Sequence, residues 1–562
     1  MLSKFRTRLL PVLALLLLLA SCSKSNKQGK YIPEDVIFAI HINGKSINSK
    51  LPWEEVKKIS LFEKIYSDSS LSPLMKSILD NPENSGIDIG SDMVIFVQMD
   101  SAGGLAAFQG SLKDAEKFKK FNLEASKGAE VTEKDGIQFI SRSPVIAGWN
   151  KEKFVYMTGV PGMKSQSMIQ FDENEDPKTR NLASSCKAIF DLKEKNSLGS
   201  NEKFTDLMKK EGDLHFWLNT EQLYKNAGGM GAMEMINMDK FLKGNINVGT
   251  ANFENGKINL NYKSYMGKDL TAVFKKFSSG SINEDMLKRI PSKDVAAVLA
   301  LHFNPDGIKE LVTLTGFEGI INMGLMTMGF SIDDFVKANK GDIMIALMDI
   351  RSKKDSLAFI GRDGKRSFNY YSTTEPDYLF TASIGDKDAF NKLIRAFKKM
   401  TKDKMEPDDS TVSYNSNDKY FAFGNSKSNV DTYLGSSTNS FDFISKIAGN
   451  PMGGYVNLQY IMKSMNNEIV KDSSSKIIYD ASLKFWDNIF LKGGNYADGG
   501  FSYDIEINLV DKNNNSLKQL SQYMGLIGEV MTNKMKDEKS YYKMDEIVND
   551  TKTTTVPPHK KL

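Results

Sequence analysis

Alternating apolar and polar residues mark the stretches of this chain that predict β-strands. In KINLNYK the apolar side chains are Ile258, Leu260 and Tyr262, and SYDIEINLV alternates in the same way. Such strands have one solvated face, which is typical of antiparallel sheets. The stretch DAFNKLIRAF instead spaces its apolar residues as an amphipathic helix does. The pattern therefore predicts an α+β fold in which antiparallel sheets are covered on one side by helices.

The same apolar patterns recur far apart in the chain, in the same order. IFAIHIN at residues 37–43 matches VLALHFN at residues 298–304, and an Ile-Pro pair stands shortly before each. GSLKDAEKF matches ASIGDKDAF, and NKEKFVYMTG resembles NDKYFAFG. The separation, about 240 to 270 residues, is far longer than the roughly 20–50-residue period of solenoids. We therefore expect an internal duplication: two related α+β halves, at residues 31–280 and 287–540.

Both ends of the chain differ from this body. The first residues combine a basic stretch, MLSKFRTR, with a twelve-residue apolar run, LLPVLALLLLLA. A spanning helix needs roughly 20 apolar residues, so the pattern predicts a signal peptide at residues 1–21, with an uncleaved anchor as the alternative. The polar residues 22–30 are expected to form a flexible tether. Residues 541–562 lack a sustained apolar face and contain a Pro-Pro pair, which predicts a disordered tail.

The end of the predicted signal peptide resembles the lipobox of bacterial lipoproteins. Leu19 is followed by two small residues and then by Cys22. This resemblance implies that the sulfur of Cys22 takes a diacylglycerol and that the chain is cut just before it. Two or three acyl chains hold a protein on a membrane firmly where one does not. The membrane is therefore an expected partner, through an N-terminal lipid anchor, and an ordinary secretory signal with an incidental cysteine is the alternative.

Composition and charge narrow the class of protein further. The 562 residues are 40% hydrophobic and 26% charged, which is ordinary for globular proteins of more than one domain. The net charge of +4 includes three cations of the predicted signal peptide, so we expect no nucleic-acid partner. With Cys22 acylated, Cys186 has no partner for an intrachain disulfide. Among apolar neighbours it is expected to be a small core residue.

Two of the four histidines, His41 and His302, stand at matching positions, each two residues before an asparagine. A symmetric metal site would need both, but the asparagines favour another interpretation. Asn304 precedes a proline and an aspartate, the order of a helix N-cap with a first-turn proline. Asn43, Asn219 and Asn457 also end apolar runs. We expect strand-to-helix joints with neutral, hydrogen-bonded histidines and no metal. DENEDP lacks the glycine of a calcium loop, which favours a solvated acidic loop.

Two methionine-rich segments stand out, AGGMGAMEMINM and INMGLMTMGF. Methionine fills irregular apolar gaps, so packed helices are expected, with a hydrophobic binding surface as the alternative. The chain contains no GxSxG and no phosphate-binding GxxxxGK[ST] motif, and we expect no cofactor. The sequence leans toward a protein that is not an enzyme, although a catalytic triad assembled by folding stays open.

The Ile-Pro strand openings, the paired halves and the lipobox together resemble a known family. Its members are uncharacterised, duplicated lipoproteins of Bacteroidetes-type Gram-negative bacteria, classified as a domain of unknown function. The resemblance implies a place in the cell envelope, at the outer membrane, and brings no catalytic residues. In such bacteria acidic residues after the lipidated cysteine often mark surface export. CSKSNKQGK has none, which favours a protein facing the periplasm and leaves surface exposure open.

Three functions remain. The first is a non-catalytic, membrane-anchored binding or scaffolding lipoprotein, with an envelope protein or an apolar ligand as its partner. The second is a carrier of lipid or apolar peptide, in which the methionine-rich segments line the binding site. The third is a hydrolase whose site has no recognisable motif. The absence of catalytic motifs, together with the predicted anchor and duplication, favours the first.

Overall fold

A computed structural model describes most of the chain after the N-terminal region. The described residues are 29–67, 69, 71–100, 103–160, 181–226, 241–278, 280–360, 365–401, 412–435 and 438–552. Their strands form one eighteen-stranded sheet. Every pairing between neighbouring strands is antiparallel, and helices connect and cover the strands. The predicted α+β class with antiparallel pairing is therefore confirmed.

The strands of the described residues are, in chain order, β1 (Phe38–Ile42), β2 (Met93–Asp100), β3 (Gly103–Ser111), β4 (Val131–Lys134), β5 (Ile137–Arg142), β6 (Val145–Trp149), β7 (Lys153–Val160), β8 (Leu214–Asn219), β9 (Ile246–Glu254), β10 (Lys257–Tyr265), β11 (Val295–His302), β12 (Asn339–Ile360), β13 (Arg366–Ile384), β14 (Ser413–Ser416), β15 (Tyr420–Gly424), β16 (Met452–Asn457), β17 (Trp486–Ala497) and β18 (Gly500–Leu509).

The α-helices of the same residues are α1 (Gly44–Lys50), α2 (Trp53–Val56), α3 (Ser60–Tyr66), α4 (Pro73–Asp80), α5 (Ala115–Ala125), α6 (Leu182–Phe190), α7 (Glu202–Met208), α8 (Thr220–Asn226), α9 (Lys268–Phe277), α10 (Glu284–Lys288), α11 (Pro305–Thr315), α12 (Glu318–Thr327), α13 (Ile332–Ala338), α14 (Lys387–Thr401), α15 (Lys427–Leu434), α16 (Asp442–Ile447), α17 (Leu458–Ser464), α18 (Asn466–Ile469), α19 (Ser473–Phe485) and α20 (Ser516–Lys552). Short 3-10 helices lie at Pro82–Ser85, Glu194–Asn196 and Leu198–Ser200.

The sheet has the same local strand order on both sides of its centre. From one edge it runs β4, β5, β6, β7, β3, β2, β1, β8, β9 and β10. It continues through β18, β17, β16, β11, β12, β13 and β15 to β14. The edge strands β4 and β14 are four residues long and mostly exposed, as is usual for edges that do not recruit other strands.

The centre of the sheet is the pairing of β10 with β18. Asn261 lies opposite Asp504 in this register, and its side-chain amide donates to the Asp504 carboxylate at 2.7 Å. Two large clusters of buried apolar side chains come from different parts of the chain. One is drawn from residues 32–248, before β10, and the other from residues 282–447, after β10. The domain bounds 31–280 and 287–540 stay a prediction.

The last helix, α20, joins distant parts of the chain. The rings of Phe485 and Tyr523 stack at 4.6 Å between centroids, and Lys518 forms an ion pair with Glu55 at 2.8 Å. A tail was expected from residue 541, but the helix continues to Lys552. Residues 553–562 lie outside the described part, as do the predicted signal peptide and Cys22. Among the described residues, no helix combines the length and the apolar character that crossing a membrane requires.

Candidate functional site

Four asparagines stand where strands pass into helices, as the sequence predicts. The Asn43 side chain accepts a hydrogen bond from the Ser46 amide at 3.0 Å, and Asn304 accepts from the Asp306 amide at 3.0 Å. The side chains of Asn219 and Asn457 accept in the same way, from the amides of residues 222 and 460. The prediction of N-caps is therefore confirmed, and α1, α8, α11 and α17 begin directly after these residues.

His41 lies at the buried end of β1, directly opposite His215 of β8. Their Nδ1 atoms are 3.2 Å apart, and the Nε2 atom of His215 is 2.9 Å from the Lys210 carbonyl oxygen. Because a carbonyl only accepts, His215 carries its proton on Nε2 and its Nδ1 accepts from His41. Burial lowers the pKa of His215, so a neutral imidazole is favoured there. His41 also approaches the Asp92 carboxylate, with Nε2 3.2 Å from Oδ2.

Beside the histidines lies a buried aspartate that the sequence did not single out. Asp213 is 1% exposed, and its carboxylate accepts from Lys50 Nζ at 2.6 Å and from the Ser46 hydroxyl at 2.5 Å. The Phe253 backbone amide donates to the same carboxylate at 2.6 Å. These partners come from α1 and β9, so only the folded sheet brings them together. The one signal in the sequence was an aspartate immediately before an apolar strand.

Together these side chains line a polar pocket of about 430 Å³ at the ends of β1 and β8. The Ser46 hydroxyl donates to Asp213 rather than to either histidine, so the pocket residues do not form a Ser–His pair of the hydrolase kind. Within the described part of the chain, no group of three or more His, Cys, Asp or Glu residues is arranged to hold a metal ion. The polar groups largely satisfy one another, which fits a structural role.

His302, the matching histidine, has different surroundings. Its Nδ1 atom is 2.7 Å from the Asp342 carboxylate of the neighbouring strand, and its side chain is 21% exposed. The strands β8, β9, β10, β18, β17 and β16 separate β11 from β1 in the sheet. His41 and His302 therefore do not share a site. Each has a hydrogen-bonding partner near the end of its strand, as the sequence predicts, and the neutral state expected for these two histidines stays a prediction.

Cys186 is a core residue, as its apolar neighbours predict. It is fully buried in α6, and burial raises the pKa of its thiol to about 12. A Cβ added at Gly148 would lie 2.6 Å from the Cys186 sulfur, so strand β6 passes close to this thiol. Lys153 lies nearby, with its Nζ 3.3 Å from the centroid of the Tyr31 ring. Burial lowers the pKa of this lysine to about 6. A protonated, buried thiol is a poor nucleophile.

A second pocket, of about 310 Å³, lies among the helices α11, α12, α13 and α14. Its lining is apolar throughout: Ile308, Val312, Ile321, Leu325, Met328, Phe330, Ile332, Phe335, Leu393 and Ala396. Ligand pockets usually start at roughly 300 Å³ and add a few polar groups that fix orientation. This one offers apolar contacts alone, so it is suited to a hydrocarbon group. Sequence reasoning pointed here through the methionine-rich segment that overlaps α12 and through the amphipathic helix DAFNKLIRAF, which lies in α14.

That segment also leaves an apolar stripe on the surface. Ile320, Met323 and Met326 follow one another at three-residue spacing along α12 and are 59%, 63% and 71% exposed. Packing alone therefore does not explain this methionine-rich helix, and the alternative of a hydrophobic surface gains support. The other methionine-rich segment, residues 227–238, lies outside the described residues, as does the acidic stretch at residues 172–177, for which a solvated loop was expected.

Comparisons with known proteins identify a family and little more. A family model described as a domain of unknown function, DUF4836, matches residues 30–400. No curated protein matches the chain. Among solved structures, crystal forms IV and III of TP0453 each align with a TM-score of 0.24, at 9% and 10% identity. Each alignment covers 45% of this chain, and it covers 87% and 88% of those chains respectively.

Proposed function

The chain belongs to the family of domains of unknown function DUF4836, and from this premise we propose that it is a lipid-anchored protein of the cell envelope that binds an apolar ligand without catalysis. The anchor is Cys22, acylated after removal of residues 1–21. We place the protein at the outer membrane of a Bacteroidetes-type bacterium, facing the periplasm. The resemblance of residues 19–22 to a lipobox and the lack of acidic residues after Cys22 support this placement.

The observation that carries the binding proposal is the apolar pocket among α11–α14. A bound peptide would bring backbone N–H and C=O groups into a lining that has no polar side chain, and unpaired buried polar groups are unfavourable. An acyl chain has no such groups and gains by burial, at about 25 cal/mol for each Å² removed from water. We therefore favour a lipid acyl chain over an apolar peptide as the ligand.

Filling the pocket tests this proposal. Val312→Trp places a large side chain among the lining residues, and Ile477→Trp, at a 46% exposed position of α19, is the matched control. Purified protein is extracted with organic solvent, which releases bound lipid but leaves covalently attached acyl chains in place. We expect lipid in extracts of the natural protein and the control, and at least a tenfold loss in Val312→Trp. Extracts without lipid from the natural protein would refute the binding proposal.

The anchor has a separate test. Cells that express the chain are fed a labelled fatty acid, and the label on the protein is measured after the noncovalently bound lipid has been extracted. Cys22→Ala should carry no label and should keep its signal peptide, whereas Cys186→Ala should be labelled like the natural chain because Cys186 is buried. A Cys22→Ala chain that still carries the label would contradict the anchor and leave the pocket experiment unaffected.

A further inference from the structure

A third pocket, of about 700 Å³, lies at the ends of β1 and β8 that are remote from His41. Asn219, the last residue of β8, lines this pocket, and its backbone amide donates to the Ile37 carbonyl just before β1. Side chains of α6 and of the loop before β1 form other parts of the wall. Because Trp217 also lines it, we call it the Trp217 pocket. Its volume is within the range of roughly 300–1,000 Å³ that is usual for small-molecule sites.

Trp217 carries a buried hydrogen-bond donor without a partner. The residue is 1% exposed, and its ring packs edge-to-face against Phe204 with 5.9 Å between the centroids. No described residue accepts a hydrogen bond from its Nε1 atom. The indole of Trp53, in contrast, donates to the Leu79 carbonyl oxygen at 2.8 Å. A buried donor without an acceptor is unfavourable, so the Trp217 indole gains from a ligand that brings an acceptor into the pocket.

Two asparagines add further donors to the lining. The side-chain oxygen of Asn201 accepts from the Lys203 amide at the start of α7, and that of Asn219 accepts from the Gln222 amide at the start of α8. Capping commits the oxygen of each side-chain amide to its helix and leaves the Nδ2 group for other partners. Among the described residues, neither Nδ2 atom has an acceptor. Three lining residues therefore offer donors, which indicates a ligand with several acceptor oxygens.

The charges of the lining argue against an anion as that ligand. Glu34 and Asp35 line the pocket, and none of the described lining residues is a lysine or an arginine. The Asp35 carboxylate accepts from the Gln98 side-chain amide at 2.8 and 2.9 Å and keeps lone pairs for other donors. An anion would be desolvated beside two carboxylates without a cation to compensate. An alkylammonium ion is also unsuitable, because it has no acceptor for the indole N–H.

Hydroxyl groups match both the donors and the carboxylates, since each hydroxyl donates one hydrogen bond and accepts two. Leu105, Ile189 and Leu192 add apolar surface to the lining, which suits the C–H faces of a sugar ring. We propose that the Trp217 pocket binds a neutral saccharide. The indole N–H donates to one hydroxyl oxygen of the sugar, and a carboxylate of the lining accepts from another hydroxyl. This site is separate from the apolar pocket among α11–α14, and neither depends on the other.

The indole N–H groups report this binding directly. The chain has four tryptophans, Trp53, Trp149, Trp217 and Trp486, so isotope labelling of the indole nitrogen gives four signals in an NMR spectrum. Trp217→Phe identifies the signal of Trp217. The purified full chain is mixed at millimolar concentration with glucose, galactose, mannose, N-acetylglucosamine, maltose or cellobiose. We expect at least one sugar to move the Trp217 indole proton downfield, as a new hydrogen bond does. The Trp53 signal should stay in place, because its N–H already has an acceptor.

A second experiment removes one donor and keeps the helix cap. Asn219→Asp replaces the Nδ2 group by a carboxylate oxygen, and aspartate caps a helix as well as asparagine does. Asn457→Asp, at the corresponding cap of α17 outside the pocket, is the matched control. We expect the affinity for the sugar to fall by about tenfold in Asn219→Asp, as for one lost hydrogen bond. The control should bind like the natural chain.

The opposite results overturn the proposal. A Trp217 signal that none of the sugars moves shows that the indole does not bind a saccharide. Unchanged affinity in Asn219→Asp shows that the sugar binds elsewhere, and an equal loss in Asn457→Asp shows that the loss is not specific to the pocket. Tighter binding of glucose phosphate than of glucose contradicts the assignment of a neutral ligand.

Discussion

Two hairpins at corresponding places in the sheet have very different surroundings. The β2–β3 hairpin follows β1 and pairs through both of its strands, with β1 on one side and β7 on the other. Its strands are eight and nine residues long. The β12–β13 hairpin follows β11 in the same way, but its strands have 22 and 19 residues. Among the described residues, only the part nearest the body pairs with neighbouring strands, whereas residues 351–360 and 366–375, the arm, pair with each other alone.

The helices that precede the two hairpins also differ in how much of their surface is covered by other elements. Between β1 and β2, α3 lies against the terminal helix α20, where Lys64 forms an ion pair with Glu529 at 3.0 Å. Between β11 and β12, α12 leaves Met323 and Met326 exposed above an apolar pocket. The apolar side chains of α3 are at most 45% exposed, at Ile65, whereas those of α12 reach 71%, at Met326. The difference teaches that exposure in the second region goes with fewer neighbouring elements among the described residues, and exposed apolar patches and apolar pockets are typical of interaction sites.

The largest expected effect on stability is the difference between two phenylalanine-to-alanine substitutions, one in each hairpin. Phe96 of β2 is fully buried, whereas Phe359 of the arm is 49% exposed. Phe96→Ala should lower the free energy of unfolding by roughly 3–5 kcal/mol, because it leaves a cavity in the core. Phe359→Ala should change it by no more than about 0.5 kcal/mol, as for surface substitutions. Urea unfolding followed by circular dichroism measures both, and equal losses would show that the arm is packed in solution.

Two aspartates extend the comparison to polar contacts. Asp213→Ala leaves the Lys50 ammonium and the Phe253 amide without their shared acceptor, so we expect a loss of about 2–3 kcal/mol in unfolding free energy. This lies below the roughly 3–5 kcal/mol of a fully buried pair because Lys50 is partly exposed to water. Asp342→Ala removes the partner of the more exposed His302 and should cost about 1 kcal/mol. A larger loss at Asp342 would reverse the contrast between the two strand ends.

The half-buried Lys153 in the first region makes stability depend on pH. Burial lowers its pKa to about 6 in the folded chain, while an unfolded lysine has a pKa near 10.4. Between these values the unfolded state binds more protons, so stability rises with pH across that window. Lys153→Met should raise the unfolding free energy at pH 6 by about 1–3 kcal/mol and by less at pH 9. Urea unfolding midpoints at pH 6 and pH 9 measure the difference. If the stability gained by Lys153→Met is as large at pH 9 as at pH 6, burial does not lower the pKa of Lys153.

Much of this arrangement follows from local sequence. Strand alternation predicts the antiparallel α+β class, and the asparagines after β1 and β11 predict helix caps because a cap depends only on residues within one turn. Cys186 is likewise predictable as a core residue from its apolar neighbours. The matching motifs IFAIHIN and VLALHFN also predict the same strand-to-helix joint in both regions, and the structure has it at Asn43 and Asn304.

The environments of the two histidines are not local and could not be predicted in this way. His41 is opposite His215 because β8 pairs with β1 in one particular register, across more than a hundred residues of chain. The arm presents a similar difficulty, since alternation in β12 does not show where its neighbour β11 ends. The apolar pocket depends on how four helices pack. Sequence identifies the methionine-rich segment and the amphipathic helix DAFNKLIRAF, but it does not show that they pack together around a pocket.

The smallest effect is expected on the exposed face of α12. Met326 is 71% exposed, and methionine and lysine have similar helix propensities, so Met326→Lys should change the unfolding free energy by no more than about 0.5 kcal/mol. The added charge breaks the apolar stripe, and we expect less concentration-dependent association by analytical ultracentrifugation. A loss well above this in urea unfolding would mean that α12 is covered in solution. The apolar side chains of α12 would then be as well covered as those beside the first hairpin.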